Sequence, residues 1–140
     1  MLLKIIEVPY IIKMRYPLDE LIDKQSIIQL KIERIPGENI ALKQEFKDYT
    51  NAVMEYVSEG ACTKQETSKW HQELYLANGK TWDLEAAIRQ GKEGELGLEE
   101  VGKRAIAIRE NNGKRIRIKS DIVEKTGLGY KDIKINHASA

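Results

Sequence analysis

Four side chains that could take part in binding recur at helical spacing in the middle of the chain. They are the amide of Asn78, the indole of Trp82, the carboxylate of Glu85 and the guanidinium of Arg89, at steps of four, three and four residues. A guanidinium can bind a phosphate or carboxylate with two parallel hydrogen bonds, and an indole offers a face on which a ring or a cation stacks. With the carboxylate of Asp83 beside them, these residues indicate a candidate site for a small anion.

A second polar group follows later in the chain. On a helix, Asn112, Arg115 and Lys119 share one stripe with apolar residues and would face the core. The charged residues of the first helix that could join them are Asp23, Lys24 and Lys31. The predicted ligand-binding residues are Asn78, Trp82, Asp83, Glu85, Arg89, Asn112, Arg115 and Lys119. One hypothesis is a site for a small anionic ligand such as a nucleotide sugar. The other is a buried hydrogen-bonded network that fixes which helices pair and in what register.

Two pairs of carboxylates indicate a different chemistry. Glu20 and Asp23 lie on the first predicted helix and Glu45 and Asp48 on the second, and four such carboxylates can hold magnesium for pyrophosphate hydrolysis. All-α nucleoside triphosphate pyrophosphohydrolases are similar in outline. Their usual first Glu-x-x-Glu is absent here, and solvated helix faces produce such spacings by chance. The sequence therefore favours a non-enzymatic protein without metal or cofactor, with the magnesium-dependent pyrophosphohydrolase as the alternative.

Four helices are predicted to position these residues. The first is opened by Pro17, which suits the first helical position, and stopped by Pro36-Gly37. The second spans roughly 39–58, with Asn39 as its cap, and the short link between the two implies an antiparallel hairpin. The third starts at a capping box formed by Thr63 and Glu66. It continues through Gly79 to about residue 90, because the apolar stripe keeps its phase across that glycine. Its stripe contains Thr67, Trp70, Leu74, Ala77, Thr81, Leu84 and Ile88.

The segment 103–119 allows two interpretations. Alternation on either side of Asn111-Asn112-Gly113 predicts a β-hairpin. A helix over 98–126 is predicted instead by the stripe that joins Leu98, Val101, Ala105, Ile108 and Ile122 and by Thr126-Gly127 as its end. The chain as a whole, 1–140, is predicted to be a single all-α domain, an antiparallel four-helix bundle. Its strand-like arm 1–16 could pair with the flexible tail 128–140 as a short strand pair.

Composition narrows the class of protein. The 140 residues are 41% hydrophobic and 32% charged, with 23 Lys and Arg against 22 Asp and Glu, so no overall field attracts nucleic acid or anionic lipid. Cys62 is the only cysteine and His71 the only histidine of the packed region, which excludes a disulfide framework and a zinc motif. No membrane-length apolar run and no secretory signal are evident, so a cytoplasmic protein is expected. Wide apolar faces on the first two helices predict a homodimer.

Several blocks of the sequence resemble a small uncharacterised helical family of bacterial and related proteins. The matched blocks are Glu20-Leu21-Ile22-Asp23-Lys24 within residues 18–35, Trp82-Asp83-Leu84-Glu85-Ala86-Ala87-Ile88-Arg89 with Asn78, and Asn112, Lys114, Arg115, Lys119, Asp121 and Ile122. The resemblance spans residues 17–126 and implies an all-α bundle with no established activity. Some relatives are joined to, or encoded near, glycosyltransferase-type proteins, which implies a glycosyltransferase partner and a role in surface-glycan synthesis. This chain departs from the family at Gly113 and around 116–118, where the family is more plainly helical.

Overall fold

The computed structural model describes residues 15–89 and 93–130, with side chains from residue 96 onward in the second range. These residues form four helices and no strand. The helices are α1 (Leu18–Arg34), α2 (Ile40–Ser58), α3 (Lys64–Ala87) and α4 (Glu93–Thr126). The predicted all-α bundle is confirmed, and the helical interpretation of 103–119 is confirmed over the hairpin. The predicted strand pair between the two ends lies outside the described residues.

Consecutive helices run antiparallel, and α1 lies at the centre. Its Gln25 amide donates to the Thr50 hydroxyl of α2 at 2.9 Å, while Arg15, just before α1, pairs with Glu59 at the far end of α2. Helix α1 also runs antiparallel to α4, because Glu20 contacts Lys119 and Asp23, further along α1, contacts the earlier residue Arg115. Helix α1 packs on all three of the other helices, whereas the backbones of α2 and α4 do not approach each other closely.

The core forms around the first turns of α1. Leu18, Leu21 and Ile22 are buried there, on a helix that packs against all three of the other helices. The other buried members of the core are Val53, Tyr56, Cys62, Trp70, Leu74 and Ile122. The predicted α3 stripe is buried from Thr67 to Ala77 and half-buried from Thr81 to Ile88. The end of α3, which carries Trp82 and leads into Arg89, is therefore less enclosed than its start.

Local sequence determines most helix ends, with one exception. The Thr63 hydroxyl accepts the Glu66 N–H at 3.1 Å and the Glu66 carboxylate accepts the Thr63 N–H at 2.9 Å, so the capping box is confirmed. Asn39 precedes α2 as predicted, but the prediction that its side chain caps this helix is wrong. Its backbone is left-handed at φ 53°, and its side-chain amide donates backwards to the Ile35 carbonyl at 2.7 Å. Asparagine tolerates the left-handed region, so here it closes the turn after α1 instead of capping α2.

Gly79 lies in the middle of α3, where α1 passes closest to it. A Cβ atom at this position would lie 3.4 Å from Leu30 and 3.4 Å from the Arg34 guanidinium. The helix is continuous through the glycine, as predicted. A methyl group at this position would therefore be in van der Waals contact with both side chains.

We expect Gly79→Ala to stabilise the protein and Gly79→Val to destabilise it. Alanine removes the conformational freedom of glycine in the unfolded chain, a gain of about 0.5–1 kcal/mol. The branched valine would press on Leu30 and cost roughly 1–3 kcal/mol as overpacking. Urea unfolding of the two variants beside the parent chain measures both changes. If alanine also destabilised the chain, α1 and α3 would have to pack more closely than the 3.4 Å contacts indicate.

The last helix is the longest and is broken near its start. Gly97 adopts φ 79° and ψ 157°, which interrupts the helix between a short first part and the long rod that follows. Helical structure begins at Glu93, five residues before the predicted start at residue 98. With 34 residues against 17, α4 extends beyond the end of α1. The predicted end is confirmed: Gly127 is left-handed at φ 69° and its N–H bonds to the Val123 carbonyl at 2.8 Å.

Candidate functional site

A buried carboxylate, Asp23 of α1, joins three of the helices. Arg115 of α4 contacts both of its oxygens, with Nε at 3.1 and 3.2 Å and Nη2 at 2.5 Å. Asn78 of α3 donates to Asp23 Oδ1 at 2.9 Å and lies 2.9 Å from the Ser26 hydroxyl. That hydroxyl donates in turn to the Asp23 backbone carbonyl at 2.7 Å. Together these residues form the Asp23 network, with Asp23 itself only 2% exposed.

Positive charge keeps Asp23 ionised despite its burial. Burial alone would raise the pKa of its carboxyl, but hydrogen bonds from Arg115 and Asn78 and the charges of Arg115 and Lys119 lower that pKa below its usual range. Lys119 also pairs with Glu20 at 2.6 Å, and its Nζ lies 4.0 Å from Asp23. Two cations, Arg115 and Lys119, thus pair with two carboxylates, Glu20 and Asp23.

Asp19, one turn before Asp23, is in the opposite situation. It is also buried, yet its Oδ1 has no hydrogen-bond partner among the described residues. Burial raises the pKa of the Asp19 carboxyl, and the negative charge of Glu20 raises it further. The two aspartates therefore differ in their partners. Asp23 receives side-chain hydrogen bonds from Arg115 and Asn78, whereas at Asp19 the charge of Lys119 and the backbone N–H groups of Asp19 and Glu20 lower the pKa by less than burial raises it.

The structure brings together only part of the predicted site. Asn78, Arg115 and Lys119 meet at Asp23, as predicted. Asn112 is half-buried and has no hydrogen bond to this group, and its neighbour Asn111 is the buried one. Asn111 donates to the Ala77 carbonyl of α3 and to the Thr81 hydroxyl at 2.6 Å. The predicted core-facing position was therefore off by one residue.

The remaining predicted charges pair at the surface. Asp83 contacts Arg34 of α1, and Arg89 bonds to Glu85 one turn earlier at 2.8 Å. Lys24 lies over the Tyr16 ring at 5.2 Å and does not join the Asp23 network. Because the cations at Asp23 already hold carboxylates, the geometry there favours the alternative that the sequence left open, a network that fixes helix pairing.

An open cleft lies beside this network, between α1 and the end of α3. Its volume is about 360 Å³, within the range of small-molecule sites. The residues that line it are Ile27, Leu30, Asn78, Thr81, Trp82, Glu85, Ala86 and Arg89. Four of them, Asn78, Trp82, Glu85 and Arg89, belong to the predicted ligand-binding set. Asn78 connects the cleft to the Asp23 network.

The cleft combines an apolar wall with a charged rim. Ile27 and Leu30 of α1 face Trp82 and Ala86 of α3, so the groups available to a ligand are mainly carbon and an indole ring. The Arg34 guanidinium lies 5.7 Å from the Trp82 ring centre, within cation–π range. Ile27 and Leu30 were not predicted from the sequence as site residues. The available indication was the breadth of the apolar face of the first helix, which predicts more than one neighbour.

The four carboxylates of the magnesium hypothesis do not meet. Glu20 and Asp23 contact Lys119 and Arg115, as described above. On α2, Glu45 accepts the Tyr49 hydroxyl at 3.0 Å and Asp48 accepts the Gln44 amide at 2.9 Å. Within residues 15–89 and 93–130, no three Asp, Glu, His or Cys side chains are placed to hold a metal ion. The geometry gives the pyrophosphohydrolase alternative no support.

His71 and Cys62 take structural positions. The His71 ring is half-buried and its Nε2 contacts the Gln29 side-chain oxygen. Burial lowers the pKa of His71, so the imidazole is neutral at pH 7. Burial raises the pKa of the Cys62 thiol, and a buried thiol with a raised pKa is unreactive.

Comparison of the chain with protein-family models, with curated proteins and with solved structures finds no match to any of them. Among the described helices, none is long and apolar enough to cross a membrane.

Proposed function

We propose that this chain is a non-enzymatic helical-bundle accessory protein that binds a small anionic ligand with a planar ring in the cleft between α1 and α3. The observation that carries the proposal is the cleft itself, in which Trp82 of α3, and Arg89 just beyond the end of α3, lie across from the apolar side of α1. The Asp23 network is then the framework that holds α1, α3 and α4 in place around the cleft.

The walls of the cleft suit a ring. Trp82 offers an aromatic face, and Ile27 and Ala86 offer carbon surface opposite and beside it. Stacking a base on an aromatic side chain contributes about 1–3 kcal/mol. The Asn78 amide and the Thr81 hydroxyl on the same side supply polar groups that can orient the ring.

The rim suits a phosphate or carboxylate. Arg89 is 77% exposed and bonds to Glu85 through Nη2. A guanidinium has five N–H donors, so most of its hydrogen-bonding capacity is available to an anion. Because Glu85 competes for the same cation, the expected affinity is modest.

The resemblance to the uncharacterised family supports the choice of ligand class. Some of those relatives are associated with glycosyltransferases, whose substrates carry a base, a diphosphate and a sugar. A nucleotide sugar combines the planar ring and the anion for which the cleft is suited. UDP-glucose, UDP and UMP are therefore suitable first probes.

We expect UDP-glucose to bind the full chain in a calorimetric titration and the binding to depend on both Trp82 and Arg89. Trp82→Ala removes the stacking face and Arg89→Gln removes a charge-assisted hydrogen bond, each a loss of about tenfold or more in affinity. Arg117→Gln is the matched control, because Arg117 is an exposed arginine on α4 that does not line the cleft. Absence of heat with all three probes at millimolar concentration, or equal effects of Arg89→Gln and Arg117→Gln, would overturn the proposal.

A further inference from the structure

The orientation of the Asn78 amide is fixed by the groups around it. Its Nδ2 donates to Asp23 Oδ1 at 2.9 Å and to the Ser26 hydroxyl at 2.9 Å. The ionised Asp23 carboxylate can only accept hydrogen bonds, and the Ser26 hydroxyl already donates its own hydrogen to the Asp23 backbone carbonyl at 2.7 Å. Both neighbours therefore require the NH₂ group of Asn78 on their side, and both N–H bonds of the amide are in use.

The amide oxygen of Asn78 is left without a partner and is accessible. Within the part of the chain that the structure describes, no group donates a hydrogen bond to Asn78 Oδ1. The described side-chain atoms that are both buried and unpartnered are Asp19 Oδ1, His71 Nδ1 and Arg104 Nε, so Asn78 Oδ1 is not buried. Because Asn78 lines the cleft between α1 and α3, this oxygen is the atom that Asn78 presents there, and it can only accept.

Thr81, about one turn further along α3, supplies a donor to the same cleft. Its Oγ1 accepts a hydrogen bond at 2.6 Å from the Asn111 amide, which also donates to the Ala77 carbonyl. Among residues 15–89 and 93–130 the Thr81 hydroxyl has no acceptor for its own hydrogen, and Thr81 lines the cleft. Residues three apart on a helix are neighbours on its surface. The α3 side of the cleft therefore carries an acceptor next to a donor.

The other polar groups that line the cleft have different hydrogen-bonding properties. The indole of Trp82 and the guanidinium of Arg89 can only donate. Glu85 accepts, but it carries a negative charge and already bonds to Arg89 at 2.8 Å. Asn78 Oδ1 is therefore the uncharged group of the cleft that can only accept, and it lies one turn before the indole on which a ring would stack.

We propose that Asn78 is the specificity-determining residue of the cleft: its Oδ1 accepts a hydrogen bond from a ring N–H of the ligand, and the Thr81 hydroxyl donates to the carbonyl beside that N–H. This inference rests on the function proposed above. It narrows the ligand from any planar ring to a ring with adjoining N–H and C=O groups, as in the imide of uracil. A bound ring without the N–H would cover Asn78 Oδ1 and leave it unpaired, which weakens binding.

Methylation of the uracil ring tests the proposal on the full chain. The probe that binds most tightly among UDP-glucose, UDP and UMP is compared by calorimetric titration with the same nucleotide methylated at N3, where a methyl group replaces the ring N–H hydrogen. We expect the methylated nucleotide to bind roughly tenfold more weakly or worse. Equal affinities would overturn this inference and leave the cleft as a nucleotide site. Absence of heat with all three unmethylated probes would overturn the proposed function and this inference together.

Two variants show whether Asn78 causes the difference between the two ligands. With Asn78→Ala the acceptor is absent, so the unmethylated nucleotide should lose roughly tenfold in affinity and the two ligands should bind alike. With Arg89→Gln both ligands should weaken by the same factor, because they share the anion, and the difference between them should remain. Circular dichroism shows whether each variant keeps the helical content of the parent.

The comparison of the two ligands on the parent chain does not depend on how the variants fold. A difference between the ligands that persists with Asn78→Ala would overturn the assignment to Asn78. So would an Asn78→Ala chain that binds the unmethylated nucleotide as tightly as the parent does.

Discussion

Asp23→Asn should lower the stability of the protein by about 3 kcal/mol, the cost of leaving one partner of a buried ion pair without its counter-charge. The substitution keeps the shape of the side chain and removes only the charge. Arg115 would then retain one neutral acceptor in place of a carboxylate that it contacts at 2.5–3.2 Å. For a domain of this size, the corresponding loss in thermal midpoint is roughly 10 °C.

Asp19→Asn is the matched control, and we expect it to act in the opposite direction. Asp19 is as deeply buried as Asp23 but has an oxygen without a hydrogen-bond partner among the described residues and a pKa raised by burial. At pH 7, keeping this carboxylate ionised opposes folding, so the neutral amide should raise the free energy of unfolding. Thermal unfolding of the two variants compares the same chemical change at two aspartates one helical turn apart.

The pH dependence of the two effects follows from the directions of the pKa shifts. The folded pKa of Asp23 is lowered, so its stabilisation is complete above the unfolded value of about 4 and is lost as the pH falls through the folded value. The folded pKa of Asp19 is raised, so its unfavourable effect grows as the pH rises from about 4 through the folded value. The gain from Asp19→Asn should therefore vanish in acid before the loss from Asp23→Asn does. Loss of stability in both variants at pH 7 would contradict this account of Asp19.

The fold was largely predictable because its helix boundaries depend on short-range interactions. The capping box at Thr63, the stop at Pro36-Gly37 and the end at Gly127 each involve residues within a few positions of one another. The fourth helix was ambiguous because alternating residues around Asn111-Asn112-Gly113 are compatible with a hairpin. The helix is favoured by contacts with residues that are distant in sequence. Arg115 contacts Asp23, 92 residues earlier, and Lys119 contacts Glu20, 99 residues earlier.

The candidate site was predictable only in part, because partner choice depends on how each helix is rotated. The sequence predicted that Asn78, Arg115 and Lys119 face the interior between the helices, and they do. It could not show that these groups would close on Asp23, nor that Asp83 would pair with Arg34 at the surface. A change of one residue in helical phase turns a side chain by about 100°, which is enough to move a group from the interior to the surface.

The difference in burial between Asn111 and Asn112 gives a direct test of how α4 is rotated relative to α3. Asn111 is 3% exposed, and its amide donates to the Ala77 carbonyl and the Thr81 hydroxyl of α3. Asn111→Ala removes both hydrogen bonds and leaves a small void between α3 and α4, a loss of about 2 kcal/mol in the free energy of unfolding. Asn112→Ala removes the side chain that the sequence placed in the core, and should change stability by no more than about 0.5 kcal/mol.

Urea unfolding of the two alanine variants under identical conditions distinguishes two rotations of α4 about its own axis. In one of them Asn111 faces α3, and in the other Asn112 does. Both substitutions replace asparagine by alanine in the same helix, so their helix propensities and unfolded chains are nearly equal and the difference reports on packing. A larger loss for Asn112→Ala would mean that α4 is turned by one residue relative to α3. In that case Arg115 would point away from Asp23, and the network that holds the cleft in shape would not form.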